Sequence, residues 1–241
     1  MKYELDTIPI WTAYEAETEC PLCFLMDKIN KDLLKFYLGS SVMNPETRAK
    51  VNEKGFCPEH FEALYRQGNH QGLALLAHTH WRQFKEDFAR RLKKISLPKG
   101  IGTKGAFTKE LSDLKEWTIQ KESSCVFCEK RQEPLNRYIF TIIYLWKKDE
   151  NFRKAYEDSR GFCAPHFVQV LEMAPDVLSG KTFLDWYGIS IQKALDNYNR
   201  LDEEILWFTQ KFDYRNKDKP WGDSKDALPR VLNKIIGKKI D

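Results

Sequence analysis

Six cysteines are placed in one pattern that the chain writes twice. Cys20-x-x-Cys23 is followed by Gly55-Phe56-Cys57-x-x-His60-Phe61, and Cys125-x-x-Cys128 by Gly161-Phe162-Cys163-x-x-His166-Phe167. Each copy offers three sulfurs and one imidazole, a full tetrahedral ligand set, and no cysteine is left over. The interval from Cys23 to Cys57 is 34 positions, that from Cys128 to Cys163 is 35, and the second copy starts 105 residues after the first. Spacing held this closely is the mark of a duplicated supersecondary unit.

Ligand type selects the metal. Three thiolates and an imidazole suit zinc, and a CxxC knuckle closed by a distant second pair is an ordinary structural arrangement. With all four positions filled by protein, no place remains for water or substrate, which favours structural over catalytic zinc. The expectation is therefore two zinc ions per chain, held by Cys20, Cys23, Cys57 and His60 and by Cys125, Cys128, Cys163 and His166. The repeat supplies four ligands per half, so pairing within each half is preferred, with exchange between halves left open. An iron-sulfur cluster with one histidine ligand is the alternative metal reading, and disulfides are disfavoured in a chain expected to stay in a reducing compartment.

The opening residues Met1 to Asp6 carry acids where a signal peptide needs an apolar run, and the longest apolar stretch, Ile139 to Trp146, is too short to span a bilayer. A cytoplasmic protein without a membrane span is expected, with that stretch buried in a helix. At 241 residues and 42% hydrophobic content the chain can bury a sizeable core.

Periodicity is helical nearly throughout. Leu22, Leu25, Met26, Ile29, Leu33 and Phe36 step by three and four from Pro21 and form one helix face. Asn44-Pro45 reads as a cap and first turn of a short helix ending near Gly55. Pro58 and Pro165 mark each CxxH as the opening of a helix, where the first-turn amides have no intrahelical acceptor. Gly55 and Gly161 serve either as helix stops or as points of close approach that let Phe56 and Phe162 cover a site. Further helices are expected over residues 72–94, 126–147, 151–158, 165–173 and 182–212, the first of the second-half set carrying Pro134. A polar loop over 215–226 is anchored by Trp221, and a last helix containing Leu228, Val231, Leu232 and Ile235 closes the core. The fold class is all-α: two related helical lobes from an internal repeat, each with a Cys3His metal site, plus C-terminal helices. The division expected is a first metal-binding repeat over 1–95, a linker over 96–105, a second repeat over 106–180 and a C-terminal helical extension over 181–241.

Gly100, Gly102 and Gly105 spell GxGxxG, but a charged helical segment precedes them rather than a hydrophobic strand, so they read as a hinge. Lys85 to Lys109 holds eight lysines and arginines against two acids, while the whole chain is only +4. Exposed together, these charges would contact the phosphates of a nucleic acid; a solvated helix end explains them equally. His70, His78 and His80 form no HExxH and no shared helix face, and read as surface or helix-end residues. Thioredoxin-like chemistry at Cys20-Pro21-Leu22-Cys23 and Cys125-Val126-Phe127-Cys128 accounts for neither the CxxH motifs nor the lack of a βαβ setting.

Several segments together carry a resemblance: Lys2-Tyr3-Glu4-Leu5-Asp6-Thr7-Ile8-Pro9, Glu19-Cys20-Pro21-Leu22-Cys23, Tyr37-Leu38-Gly39-x-Ser41-Val42-Met43, the two Gly-Phe-Cys-x-x-His motifs and Lys225-Asp226-Ala227-Leu228-Pro229-Arg230. Over nearly its whole length the chain resembles a bacterial family of unknown function, DUF6062. The resemblance implies a bacterial cytoplasmic protein, brings no activity with it, and matches the repeated motif residues to the eight ligands named above. The sequence reading is a zinc-stabilised intracellular interaction or regulatory protein with an unidentified protein partner. A thiol-based oxidoreductase or other metal-dependent enzyme is the runner-up, followed by an iron-sulfur or nucleic-acid-binding protein.

Overall fold

A computed structural model describes residues 4–95 and 104–238. Among these there are α-helices, short 3₁₀ turns and no strand. In chain order the helices are α1 (Glu4–Glu15), α2 (Pro21–Leu38), α3 (Pro45–Lys54), α4 (Pro58–Arg66), α5 (His70–Leu92), α6 (Lys104–Ser123), α7 (Val126–Lys148), α8 (Glu150–Asp158), α9 (Ala164–Val177), α10 (Gly180–Gln210) and α11 (Ala227–Ile236). The all-α expectation holds. The linker expected over 96–105 falls outside the described residues except for Lys104 and Gly105, which open α6.

Two compact units are present, Met1–Ile29 with Glu133–Asp241, and Asn30–Gln132. They are not consecutive halves of the sequence, because the division falls inside α2 and inside α7. In the first unit the core forms around α7, where Ile139, Ile142, Ile143 and Trp146 are buried at helical spacing. This is the apolar stretch expected to be a buried helix segment. Phe152 of α8 meets Trp11 and Tyr14 of α1 edge-on at ring distances of 5.3 and 4.8 Å, a geometry that the ring quadrupole favours. Tyr156 keeps its hydroxyl satisfied at 2.8 Å from Ser190 of α10. After α10, the Lys211 ammonium donates to the carbonyls of Asn216, Lys217 and Lys219 at 2.6–2.9 Å, and Trp221 stands beside Phe208, so the polar loop is tied down as expected of an anchored segment.

In the second unit α5 packs on α3 and α4. Asn44 caps α3 as its sequence implied, its side-chain oxygen accepting from the Thr47 amide at 2.9 Å. Farther along α5, Phe84 and Phe88 stack on Trp117 of α6, with the Arg91 guanidinium 4.9 Å from the same indole.

Gly55 and Gly161 both adopt left-handed φ, 70° and 69°. At Gly55 the close-approach role is visible: a Cβ there would lie 2.6 Å from the His80 ring, which is fixed by an Nδ1 hydrogen bond to the Asn52 carbonyl at 2.9 Å. At Gly161 the nearest such contact, with Lys193, is 3.8 Å away, so only the φ requirement applies. Gly55→Ala is therefore expected to cost roughly 1–3 kcal/mol for the backbone alone, and more than Gly161→Ala, whose substituent makes only an ordinary van der Waals contact with Lys193. Urea denaturation of the two variants checks this; equal losses would remove the packing role of His80.

Candidate metal centres

All eight expected ligands are drawn together, in two sets. Cys20 and Cys23 join Cys163 and His166; Cys57 and His60 join Cys125 and Cys128. Pairing within each half of the repeat, which the sequence reading preferred, is thus corrected: each CxxC takes its CxxH from the other copy. Helix length is the reason. α2 has 18 residues, about 27 Å, and α3 only 10, about 15 Å, so even a fully antiparallel return along α3 would end short of Cys20. The second copy has the same mismatch, with 23 residues in α7, about 34 Å, against 9 in α8, about 14 Å. Neither CxxH is carried back to the start of its own long helix. Every set nevertheless lies within one compact unit, Cys20 with His166 in the first and Cys57 with Cys128 in the second.

The same local design builds both. Each CxxC opens a long helix, and the second cysteine's amide points at the first sulfur: Cys23 N–H to Cys20 Sγ and Cys128 N–H to Cys125 Sγ, both 3.4 Å. Each CxxH begins a short helix whose N-cap is the cysteine, Cys57 before Pro58 and Cys163 before Ala164-Pro165. Neither cap sulfur accepts a first-turn amide, which leaves it turned to the other ligands. Two helix starts therefore face each set of thiolates, and their dipoles favour the negative charge.

Distances test whether a tetrahedral ion fits. With sulfur at about 2.3 Å and imidazole nitrogen at about 2.0–2.1 Å from a metal, a tetrahedron has sulfur to sulfur edges of about 3.8 Å and sulfur to nitrogen edges of about 3.5 Å. In the first set His166 Nδ1 lies 3.5, 3.4 and 3.1 Å from the sulfurs of Cys20, Cys23 and Cys163, and Cys23 is 3.6 Å from Cys163. In the second set His60 Nδ1 lies 3.1, 3.4 and 3.4 Å from Cys57, Cys125 and Cys128, and Cys57 is 4.0 Å from Cys128. Both sets have the size of a zinc shell, with Nδ1 as the nitrogen donor. The His60 ring stacks on Phe127, centroids 4.0 Å apart, which fixes its plane.

Their surroundings differ. The four ligands of the first set are buried, whereas in the second Cys128 is exposed and Cys57 half-buried. Behind the first set lies a charge cluster that the sequence reading missed, with Glu19 and Lys234 buried and its arginines partly exposed. Glu19, directly before Cys20, is buried and meets Arg160 at 3.2 Å, Arg200 at 2.8 Å, Arg230 at 3.3 Å and Lys234 at 3.4 Å. Burial pushes the Glu19 carboxyl up, but Lys234, Arg200 and Arg160 outweigh it and hold the group below the usual carboxylate range. The Lys234 ammonium, itself 5% exposed, donates to the Glu19 carbonyl at 2.7 Å, the Arg160 carbonyl at 2.6 Å and the Phe162 carbonyl at 3.4 Å. It thereby pins both backbone segments that lead into Cys20 and Cys163. The available signal was the four-residue spacing of Asp226, Arg230 and Lys234 along α11, which a solvated face displays equally.

A cleft of about 550 Å³ adjoins this cluster, lined in part by Cys23, Lys28, Arg160, Arg230 and Asn233. His70, His78 and His80 join neither ligand set, and His80 has the packing role described above. The basic stretch Lys85 to Lys109 lies partly outside the described residues. No helix among the described residues is long and apolar enough to cross a membrane.

The chain belongs to DUF6062, a family of unknown function, whose model matches residues 1–241. No curated protein and no solved structure matches it.

Proton inventories of the metal-free sets predict how binding depends on pH. In the second set burial raises the thiols, yet hydrogen bonds from His60 and from the Cys57 and Cys128 backbones bring Cys125 down to about 6. Cys128 is pushed up to about 12 by burial and by the neighbouring Cys125 charge, and Cys57 is raised mainly by burial. The first set repeats this, with Cys20 lowered by hydrogen bonds that outweigh burial, and Cys23 and Cys163 raised by hydrogen bonds within the cluster. In the second set Cys125 is then the thiolate and Cys57 and Cys128 are thiols at neutral pH, so binding a metal there releases about two protons. As pH falls through about 6 the last thiolate protonates and retention weakens further. Calorimetric titration in buffers of different ionisation enthalpy measures the release; none would contradict thiolate ligation.

Lys234→Met removes three donors while keeping the bulk of the chain, leaving buried carbonyls unpaired at about 1–3 kcal/mol apiece. Chelator competition should then show weakened retention at the first set and unchanged retention at the second. Equal weakening of both would deny Lys234 its specific part.

Proposed function

We propose that this chain binds two zinc ions and works as a zinc-stabilised interaction or regulatory protein in the cytoplasm, acting on a protein partner. The observation that supports it is closure: in each set three sulfurs and Nδ1 already form a tetrahedron-sized shell, all four ligand atoms within 4.8 Å of one another, with no coordination position left for substrate. Zinc in such a shell supplies a crosslink between helix starts and so stabilises the folded state. The free cysteines suit a reducing compartment. A nucleic-acid role through Lys85 to Lys109 rests on charge alone.

One observation favours the runner-up, a thiol-based or metal-dependent enzyme: the cleft of about 550 Å³ that reaches Cys23. Such an enzyme requires that a ligand sulfur open to a substrate held there. Cys23 is only 6% exposed, which weighs towards the structural reading.

Anaerobic elemental analysis with visible absorption on untagged protein decides the metal. Two zinc equivalents without a visible charge-transfer band, and a melting temperature that drops when a chelator strips them, is the expected result. Iron with matching sulfide would transfer the argument to cluster chemistry. Replacement by cobalt(II) separates the two functional readings: small anions should leave the spectrum of a closed shell unchanged, while a spectral shift would mark an opening site and favour the enzyme.

A further inference from the structure

The two ligand sets share a plan but differ in access to solvent, and the difference is chemical as well as geometric. In the first set Cys20 and Cys163 are 0% exposed, Cys23 6% and His166 3%. Lys234 pins the backbone on either side of it, and Gly237, at the end of α11, lies so close that a Cβ there would come within 3.3 Å of Cys163 Sγ. In the second set the inward half, Cys125 and His60, is buried at 3% and 6%, whereas the outward half is Cys57, half-buried, and Cys128, exposed. The two outward sulfurs belong to different helix starts, α4 and α7, and stand 4.0 Å apart.

From this geometry, and resting on the zinc reading above, we infer that Cys128 and Cys57 form a peroxide-reactive pair that discharges the metal of the second site while the first site keeps its own. Oxidation of a sulfur requires contact with the oxidant, and Cys128 is the ligand that solvent reaches. The Cys128 sulfur attacks one oxygen of a hydroperoxide; a sulfur-oxygen bond forms, the oxygen-oxygen bond breaks, and hydroxide, or the alkoxide of an organic peroxide, leaves. Cys57 then attacks the Cys128 sulfenic sulfur, a disulfide forms and hydroxide leaves. Two cysteines have lost two electrons, and the peroxide has been reduced to water, or to water and an alcohol. Only Cys125 and His60 then remain as donors, half of the tetrahedral set, and the α4 and α7 starts are held by a disulfide instead of a metal. A dithiol returns the two electrons, and zinc can bind again.

Full-length protein is loaded with zinc, its metal content is measured, and hydrogen peroxide is then added in steps beside a chromogenic zinc chelator. Cysteines are read by differential alkylation and peptide mass spectrometry. Two equivalents before oxidant, one released by it, a Cys57 to Cys128 disulfide, and recovery with dithiothreitol and zinc is the expected sequence. Joint release of both ions, oxidation that begins at Cys20, Cys23 or Cys163, or oxidation of Cys57 and Cys128 with both ions retained would each overturn the inference. Fewer than two equivalents before oxidant would instead defeat the zinc reading on which it rests, and that value is known before peroxide is added. Cys128→Asp puts a carboxylate oxygen in place of the sulfur ligand and cannot form the disulfide; loaded with zinc, it should lose none at the peroxide dose that empties the wild-type site. Release equal to wild type would place the reactive step elsewhere.

Discussion

Three sulfurs gathered around one imidazole, all within 4.8 Å of one another, repel each other as soon as the thiols ionise, and that repulsion is what the rest of this fold must answer. Each site meets it with two helix starts, whose unpaired amides and dipoles favour negative charge, and with one N–H donor aimed at the first sulfur of the CxxC. These local devices favour ionisation of the first sulfur of each CxxC; three thiolates become stable together when a divalent cation supplies the balancing charge. The helix starts at each site, α2 with α9 and α4 with α7, are far apart in sequence and among the described residues no strand joins them, so each ligand set is a cross-connection between helix starts.

In the first unit the answer extends beyond the helix starts. A Cys3His shell around a divalent ion carries one net negative charge, and the cluster behind it contributes Arg160, Arg200, Arg230 and Lys234 against Glu19 and Glu204. Buried charges are stable when every member is paired, and removal of one strands the others. Glu19 organises four cations that would otherwise repel, and Lys234 turns its ammonium to the carbonyls flanking the ligands. The last helix is consequently part of the support of the first ligand set, although it holds no ligand. Burial pulls Lys234 down from the ordinary lysine range, with Glu19 and the Cys20 sulfur working in the opposite direction.

Much of this was legible in the residues. The ligands announced themselves because cysteine and histidine at repeated CxxC and CxxH spacing have few other uses, and the long helices because Leu22 to Phe36 keep an apolar step of three and four while Ile139 to Trp146 is a nearly continuous apolar run. The exchange of partners was less visible, since spacing alone is the same whether a pair closes on its own copy or the other; the unequal lengths of the two helices between each CxxC and its CxxH argue for the exchange. Two helices went unread. In α1, Pro9 interrupts the pattern, and in α6 only Trp117 among the large apolar side chains is buried, while Leu111 and Ile119 face solvent, so no broad stripe exists to be recognised. The Glu19 cluster drew its members from residues 19, 160, 200, 204, 230 and 234, a juxtaposition that only the folded chain creates.

The ligand order along the chain is nested: Cys57, His60, Cys125 and Cys128 all fall between Cys23 and Cys163. On a ribosome this imposes a timetable. The inner set is complete once Cys128 has emerged, 71 residues after Cys57, while Cys20 and Cys23 must wait for His166, 143 residues beyond Cys23. At roughly 5–20 residues per second the interval between the two completions is on the order of 2–8 s. During that interval the nascent chain presents one finished site and one exposed CxxC, so the solvent-accessible centre is the first able to take metal and the buried one is sealed last, when α11 arrives with Lys234.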